Sequence, residues 1–176
     1  MCETEPACEK GVEMSTADDL KEAFAGESQA NRKYLAFAKK ADEEGNAQVA
    51  KLFRAAADAE TVHAHAHLRA MKGVGSTGDN LDEAIGGETH EFTNMYPAMI
   101  AEAEKEGEKE AAMSFKNANA VEKIHAGIYQ KALDNLGKNE EVDYFVCQVC
   151  GNTVEGEAPD KCPICGAPKK MFKKID

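Results

Sequence analysis

Two metal-binding patterns carry the chemistry of this sequence. Near its end, Cys147-Gln-Val-Cys150-Gly and Cys162-Pro-Ile-Cys165-Gly form two CxxCG knuckles separated by eleven residues. Four thiolates at such spacing close tetrahedrally around one ion. The Gly after each pair accepts a positive φ, which lets backbone N–H groups turn toward sulfur. Spacing alone fits iron and zinc equally. The second pattern is Glu60-x-x-His63 and Glu122-x-x-His125. Residues three apart share one face of a helix, so each pair aims a carboxylate and an imidazole the same way. A lone Glu-x-x-His carries little weight; its place within a larger pattern decides.

That pattern is a set of helices. Ser15 or Thr16 caps the first, with Asp18 and Asp19 in its opening turn, and Gly45-Asn46 stops it after Glu44. The spacing predicts a second helix over 47–71, a glycine-bearing loop over 72–80, a third helix over 81–106 ended by Gly107, and a fourth over 108–136 ended by Gly137. Apolar stripes run along each. The first reads Leu20, Phe24, Glu27, Asn31, Tyr34, Ala38, Ala41, and the second Val49, Phe53, Ala56, Glu60, His63, His67, Met71. The third reads Leu81, Ile85, Glu88, Glu91 or Phe92, Met95, Met99, and the fourth Ala111, Phe115, Ala118, Glu122, His125, Tyr129, Ala132, Leu136. Every stripe faces a core, yet each carries Glu near its centre.

Buried carboxylates are costly unless paired or bound to metal, and converging ones repel each other. Two divalent cations against five Glu leave a charge of about −1, and a diferric pair bridged by oxide leaves about the same, which favours iron as a redox metal. Depth agrees with convergence. Glu27 precedes Gly45 by 18 residues and Glu60 follows it by 15; Glu88 precedes Gly107 by 19 and Glu122 follows it by 15. At about 1.5 Å per residue, the ligands of each hairpin reach nearly the same level. The two hairpins thus form a weak internal repeat. The bland alternative is exposed Glu and His on solvated helices. His65 and His90 lie off the stripes and read as solvent-facing, and His67 as a polar neighbour of the site. Tyr34 and Tyr96 sit roughly two turns beyond Glu27 and Glu88, placed either to hydrogen-bond ligand carboxylates or to fill the core. Pro97 removes a backbone bond to Thr93, so a kink or bulge is expected beside the site.

Composition bounds the rest. Apolar residues are 43 % of the chain, enough for a packed core. Lys and Arg number 21 against 32 Asp and Glu, a net charge of −11 that argues against nucleic acid or anionic lipid as a partner. No apolar run is long enough to span a membrane. The opening MCETEPACEKG reads as no secretion signal, so a cytoplasmic location with metal or redox use of cysteine is expected, rather than disulfides. The expected division is a flexible tail over 1–14 bearing Cys2 and Cys8 as free thiols, a helical domain over 15–137, a linker over 138–142 and a small metal-stapled domain over 143–176. Phe145, Val154, Pro163, Ile164, Pro168 and Phe172 are its candidate apolar shell. In an iron-carboxylate bundle with one long crossover, the second and third helices run parallel. Nine loop residues barely reach far enough, so exchange of hairpins between subunits of a dimer is expected.

The segment AFAGESQANRKY, both Glu-x-x-His pairs, the stretch GETHEFTNMYP and the terminal CxxCG knuckles together resemble the rubrerythrin family over all but the tail. The resemblance implies a mainly α protein: a ferritin-like four-helix bundle with a non-haem di-iron site, followed by a rubredoxin-like Fe(Cys)4 domain. It implies Glu27, Glu60, Glu88, Glu91, Glu122, His63 and His125 as di-iron ligands, Glu60 and Glu122 bridging, with Glu91 and His63 exchanging at one iron on reduction. It implies Tyr34 and Tyr96 as tyrosines around the site, and Cys147, Cys150, Cys162 and Cys165 as ligands of the third iron, with zinc as a substitute. The implied activity is two-electron reduction of hydrogen peroxide to water in oxidative-stress defence. Electrons come from NAD(P)H through separate reductases or a rubredoxin, and pass between subunits of a head-to-tail homodimer or higher oligomer. Asn152 stands where the family commonly has an aromatic, which bears on packing and potential in the small domain. The rival readings are a ferroxidase oxidising Fe(II) with O2 and a non-enzymatic metal store or structural zinc protein.

Overall fold

A computed structural model describes residues 15–176; the expected tail, with Cys2 and Cys8, lies outside the described residues. The chain divides into two compact units at Val74/Gly75. The first is a helical hairpin. Helix α1 (Thr16–Glu43) begins at Ser15, whose hydroxyl accepts from the Asp18 amide while the Asp18 carboxylate accepts from Ser15, a reciprocal cap. Gly45, at φ 78°, makes the turn into α2 (Ala47–Ala70). The seam between the helices is built from alanines: Ala38, Ala41, Ala50, Ala57 and Ala64 are its buried residues. Small side chains let the backbones approach closely. Asn31 pins the seam, its Nδ2 donating to the Ala57 carbonyl at 2.7 Å and to Thr61 Oγ1 at 2.9 Å.

The second unit opens with α3 (Thr77–His90). It starts four residues earlier than expected, because Ser76 and Asp79 form the same reciprocal cap as Ser15 and Asp18. The glycine-bearing connection shrinks accordingly to residues 71–76. The predicted continuous third helix is interrupted. Glu91–Met95 forms a π turn, in which the Tyr96 amide donates to the Glu91 carbonyl five residues back, and α4 (Tyr96–Glu106) follows with Pro97 in its first turn. Proline without an N–H frees the Thr93 carbonyl, and the helix absorbs the loss as a bulge. Gly107, at φ 79°, ends α4, and α5 (Lys109–Asp134) returns along both α3 and α4.

The stripe shifts at the bulge. Met99, expected inside, is exposed, while Ala103 is buried. On α5 the predicted stripe is half-buried from Ala111 to Ala132, and Leu136 lies beyond the helix end in water.

The chain closes with a three-stranded antiparallel sheet in the order β2-β1-β3: β1 (Tyr144–Cys147), β2 (Thr153–Glu155) and β3 (Phe172–Ile175). Phe145, Val154, Ile164 and Phe172 are half-buried as expected. Pro163 and Pro168 are exposed, and Ala158 fills the interior in their place. So small a sheet cannot hold itself by apolar burial and needs a staple.

Replacing Asn31 with Ala removes two hydrogen bonds across the α1–α2 seam, those to the Ala57 carbonyl and to Thr61 Oγ1. The expected loss is about 1–2 kcal/mol, read as a lower melting temperature; an unchanged melting temperature would show that the alanine seam alone sets the hairpin.

Candidate metal centres

The first unit brings Glu27 of α1 together with Glu60 and His63 of α2. One ligand atom from each lies within 4.8 Å of the others. His63 Nδ1 is 2.9 Å from Glu60 Oε2 and 3.9 Å from Glu27 Oε1. The cluster is covered unevenly: the Glu60 side chain is 17 % exposed but that of His63 is 55 %. Tyr34 packs against the rings of Phe37 and Phe53, at centroid distances of 6.3 and 6.2 Å. His65, off the stripe, is exposed, and His67, on the stripe one turn beyond His63, is half-buried.

The second unit repeats the constellation. Glu88 of α3 meets Glu122 and His125 of α5, again within 4.8 Å. His125 Nδ1 is 2.8 Å from Glu122 Oε2 and 3.6 Å from Glu88 Oε1. Burial, then the neighbouring Glu122 carboxylate, push the Glu88 carboxyl above its usual range, with His125 offsetting part of the rise. Glu91, the first residue of the π turn, is half-buried and stands outside this three-residue set. His90 is exposed.

The bulge decides where Tyr96 points. Eight residues beyond Glu88, an unbroken α-helix would carry Tyr96 about 80° around the axis from Glu88; one extra residue in a π turn brings it back to within about 20°. Its phenol is raised by burial and then by the charges of Glu91, Glu122 and Glu88. Tyr96 therefore lies in the field of the carboxylates, and its ring rests 6.2 Å from that of Phe115.

Each cluster gathers carboxylate oxygens and an imidazole nitrogen from two helices. With the imidazole neutral and its Nδ1 unprotonated, these are all acceptors, and only a cation among them turns repulsion into bonding. Two Glu from separate helices plus two Glu-x-x-His pairs are the donor set of a carboxylate-bridged di-iron centre.

The third cluster is Cys147, Cys150, Cys162 and Cys165, all free thiols. Cys147 Sγ lies 3.8 Å from Cys165 Sγ, and Cys150 Sγ 3.6 Å from Cys162 Sγ. A tetrahedron with metal–sulfur bonds of about 2.3 Å has edges of about 3.8 Å, so the thiols already outline the ion. Burial pushes the Cys150 and Cys165 thiols up. Burial opposes ionisation of Cys162 too, but the backbone N–H groups of Cys165 and Ile164 outweigh it and bring that thiol down to about 7. Gly151 and Gly166 take φ of 83° and 77°, the turn each knuckle demands.

Two residues near these centres make contacts that sequence reasoning did not give. Asn152 is 1 % exposed, and its Nδ2 donates to Cys162 Sγ at 3.7 Å. Its position after a CxxCG knuckle was the available signal. Thr153 lies 2.9 Å from His125, and no periodicity points to it.

Comparison with known proteins places these features in a family. A family model described as rubrerythrin matches residues 18–133, and one described as the rubredoxin-like domain of rubrerythrin matches 145–173. Rubrerythrin-2 of Clostridium acetobutylicum is 37 % identical, over 90 % of this chain and 95 % of its own. Nigerythrin of Nitratidesulfovibrio vulgaris is also 37 % identical, over 90 % of this chain and 85 % of its own. A solved structure of fully reduced, all-ferrous nigerythrin is 35 % identical, covers 97 % of this chain and 91 % of that one, and superposes with a TM-score of 0.57.

An amide donating to a cysteine sulfur stabilises the more negative, reduced state of an iron–thiolate centre. Asn152→Leu should therefore lower the reduction potential of the four-cysteine iron in a redox titration; a potential that stays or rises would remove Asn152 as a tuning group.

Proposed function

The chain belongs to the rubrerythrin family of di-iron oxidoreductases, and from that membership we propose that it reduces hydrogen peroxide to water, with electrons drawn from NAD(P)H-linked reductases or a rubredoxin through its four-cysteine centre. Bound by the carboxylates, a reduced iron pair supplies both electrons that break the O–O bond, so that peroxide and two protons give two waters. Glu27, Glu60, Glu88, Glu122, His63 and His125 would hold the pair. Glu91 and His63 would be the exchangeable ligands; the His63 side chain is 55 % exposed, which leaves it room to move. Tyr96 keeps its proton in the field of three carboxylates. Tyr34 stands in the corresponding place on α1. The setting is defence against oxidative stress in the cytoplasm. Among the described residues, no helix is long and apolar enough to cross a membrane.

The observation that carries this reading is the four-thiolate module beside the helical part. A peroxidase needs electrons returned one at a time, whereas a ferroxidase receives them with each Fe(II) it oxidises. Mixing the reduced protein with peroxide or O2 in a stopped-flow instrument separates the two: peroxide should oxidise the carboxylate pair about tenfold faster or more, equivalent to about 1.4 kcal/mol of barrier. Faster reaction with O2 favours the ferroxidase. Cys162→Ser should stop steady-state peroxide reduction yet leave one turnover of a pre-reduced pair.

We further propose that each complete site joins the α1–α2 hairpin of one copy to the α3–α5 hairpin of another. Chain reach supports this. Helix α2 continues seven residues beyond His63, and α3 holds eleven residues before Glu88. In parallel helices that is about 27 Å of axial travel for one chain's two clusters to share a level. The seven steps from Ala70 to Thr77 reach about 25 Å fully stretched, and the Gly73 amide folds them back onto the Leu68 carbonyl. The apolar surface agrees: Phe37, Leu52 and Val62 are 47 %, 65 % and 61 % exposed, a cost a second copy relieves. Co-refolding a Glu27→Ala/Glu60→Ala chain with a Glu88→Ala/Glu122→Ala chain tests it. Neither binds an iron pair alone; the mixed dimer should regain one pair per two chains, and no recovery would exclude the exchange.

A further inference from the structure

The four-cysteine module differs in charge from the rest of the chain. Residues 143–176 hold five lysines and five acids, so the whole net charge of −11 falls on residues 1–142. The sheet register then separates the signs. Strand β1 runs from Tyr144 to the first knuckle at Cys147; its Tyr144 end pairs with Glu155 and Ile175, and its Cys147 end with Phe172. The Gly156 N–H donates to the Asp143 carbonyl at 2.8 Å. Asp143, Glu155, Glu157 and Asp176 therefore gather at the end of the sheet away from the knuckle. Two of them are paired there, Asp143 with Lys174 at 2.7 Å and Glu155 with Lys131 of α5 at 2.6 Å. Asp160 is the one acid of the module beside the second knuckle.

Four lysines occupy the other end. Lys161 precedes Cys162, and its Cε would stand 3.3 Å from a Cβ on Gly166, so its stem lies along the second knuckle. Lys161 bridges to Pro168, which sets Lys169 beside it, and the Lys169 N–H donates to the Asp160 carbonyl at 2.9 Å. The Gln148 N–H donates to the Met171 carbonyl at 2.8 Å, so the short turn carrying Lys169 and Lys170 leans on the first knuckle. Lys173 stands opposite Val146, one residue before Cys147. All four are exposed, and among the described residues none makes an ion pair. Lys173 lies on the edge strand β3, where a charge also discourages pairing with a stray strand. The other three lie off the strands, where no such guard is needed. Between the lysines the surface turns apolar: Val149 is 56 % exposed, and Pro163 is exposed. Cys147 and Cys162 are buried whereas Cys150 and Cys165 are half-buried, so the sulfur cluster opens toward the knuckle tips.

We propose that the knuckle tips at Val149 and Pro163, rimmed by Lys161, Lys169, Lys170 and Lys173, dock a small acidic electron-carrier protein. An apolar centre within a charged rim is the anatomy of a protein–protein interface. Lysines that meet carboxylates across such a rim speed encounter and select the partner more than they tighten the complex. Residues 1–142, which carry all of the net negative charge, repel an acidic partner and leave this end of the module as its landing place. That the partner carries electrons rests on the peroxide-reducing reading; that it is acidic rests on the lysines.

The probe is an acidic rubredoxin, mixed with the full chain after both are loaded with zinc, so that calorimetry reads binding with no electron moving. The native chain should bind it at low salt and release it as salt rises, because screening shortens the reach of exposed charges to about 8 Å at 0.15 M. Lys161→Gln, Lys169→Gln, Lys170→Gln and Lys173→Gln together should weaken binding about tenfold or more, and the same four positions changed to Arg should bind as the native chain does. Lys33→Gln, Lys39→Gln, Lys51→Gln and Lys109→Gln remove equal charge from exposed positions on the helices and should change binding by less than about twofold. No binding by the native chain at low salt, loss of binding in the Arg chain, or an equal loss in the helix variant overturns the docking face. So does salt-sensitive self-association of the native chain without capture of the rubredoxin, which makes a second copy the occupant. The iron-loaded protein separates the two claims: if the rubredoxin binds at this face and peroxide is not reduced, the functional reading falls and the docking face stands.

Discussion

Carboxylates and imidazoles brought face to face by paired helices govern this molecule. Glu60 and Glu122 each bring an oxygen to within 3 Å of an imidazole Nδ1, and Glu27 and Glu88 stand close behind. Left alone, such a group resists burial, as the upward push on Glu88 records. Cations bound there would cross-link the helices that supply the ligands. The surrounding devices serve that geometry. Asn31 clamps α1 to α2 one turn from Glu27, the reciprocal caps at Ser15 and Ser76 set where α1 and α3 begin, and the bulge turns Tyr96 toward the carboxylates.

The four cysteines solve the same problem in a smaller space. Their sulfurs sit at tetrahedral spacing, and the knuckle amides already draw Cys162 toward its thiolate. Here too, coordination replaces a core: the largest fully buried side chains of the described residues are Val121, Asn152 and Cys147. The alanine seams of the first hairpin show the converse. Backbones that come close enough to bring Glu27 to Glu60 leave little room for bulky side chains between them, so large apolar residues such as Phe37, Leu52 and Val62 turn outward.

Much of this is written locally and was legible. The helix starts at Ser15, the turns at Gly45 and Gly107, the Glu-x-x-His pairs and the CxxCG knuckles each depend on a few neighbouring residues. The cap at Ser76-x-x-Asp79 was equally local, but three nearby glycines made the segment read as loop. Pro97 announced a bulge without giving its consequence for the stripe, because periodicity assumes a constant angle per residue; hence Met99 was placed inside and lies outside. Asn152 stood out as a residue in an unusual place, but its contact, like that of Thr153, was invisible for another reason. Their roles come from the docking of a strand on a helix and the closing of one knuckle on another, contacts set by tertiary structure alone.

The π turn also makes the stretch from Glu88 to Ala103 a fixed count. Both segments flanking it pack on α5, and they do so only because one surplus residue is taken up between them. A kindred chain that had lost that residue would regain a straight helix and with it a rotation of about 100° in everything downstream. Its aromatic hydroxyl would then have to come from a different position to stay over the carboxylates. In aligning such chains, a one-residue gap here marks a change of side-chain geometry at the metal, whereas a gap in the connection after α2 changes only reach.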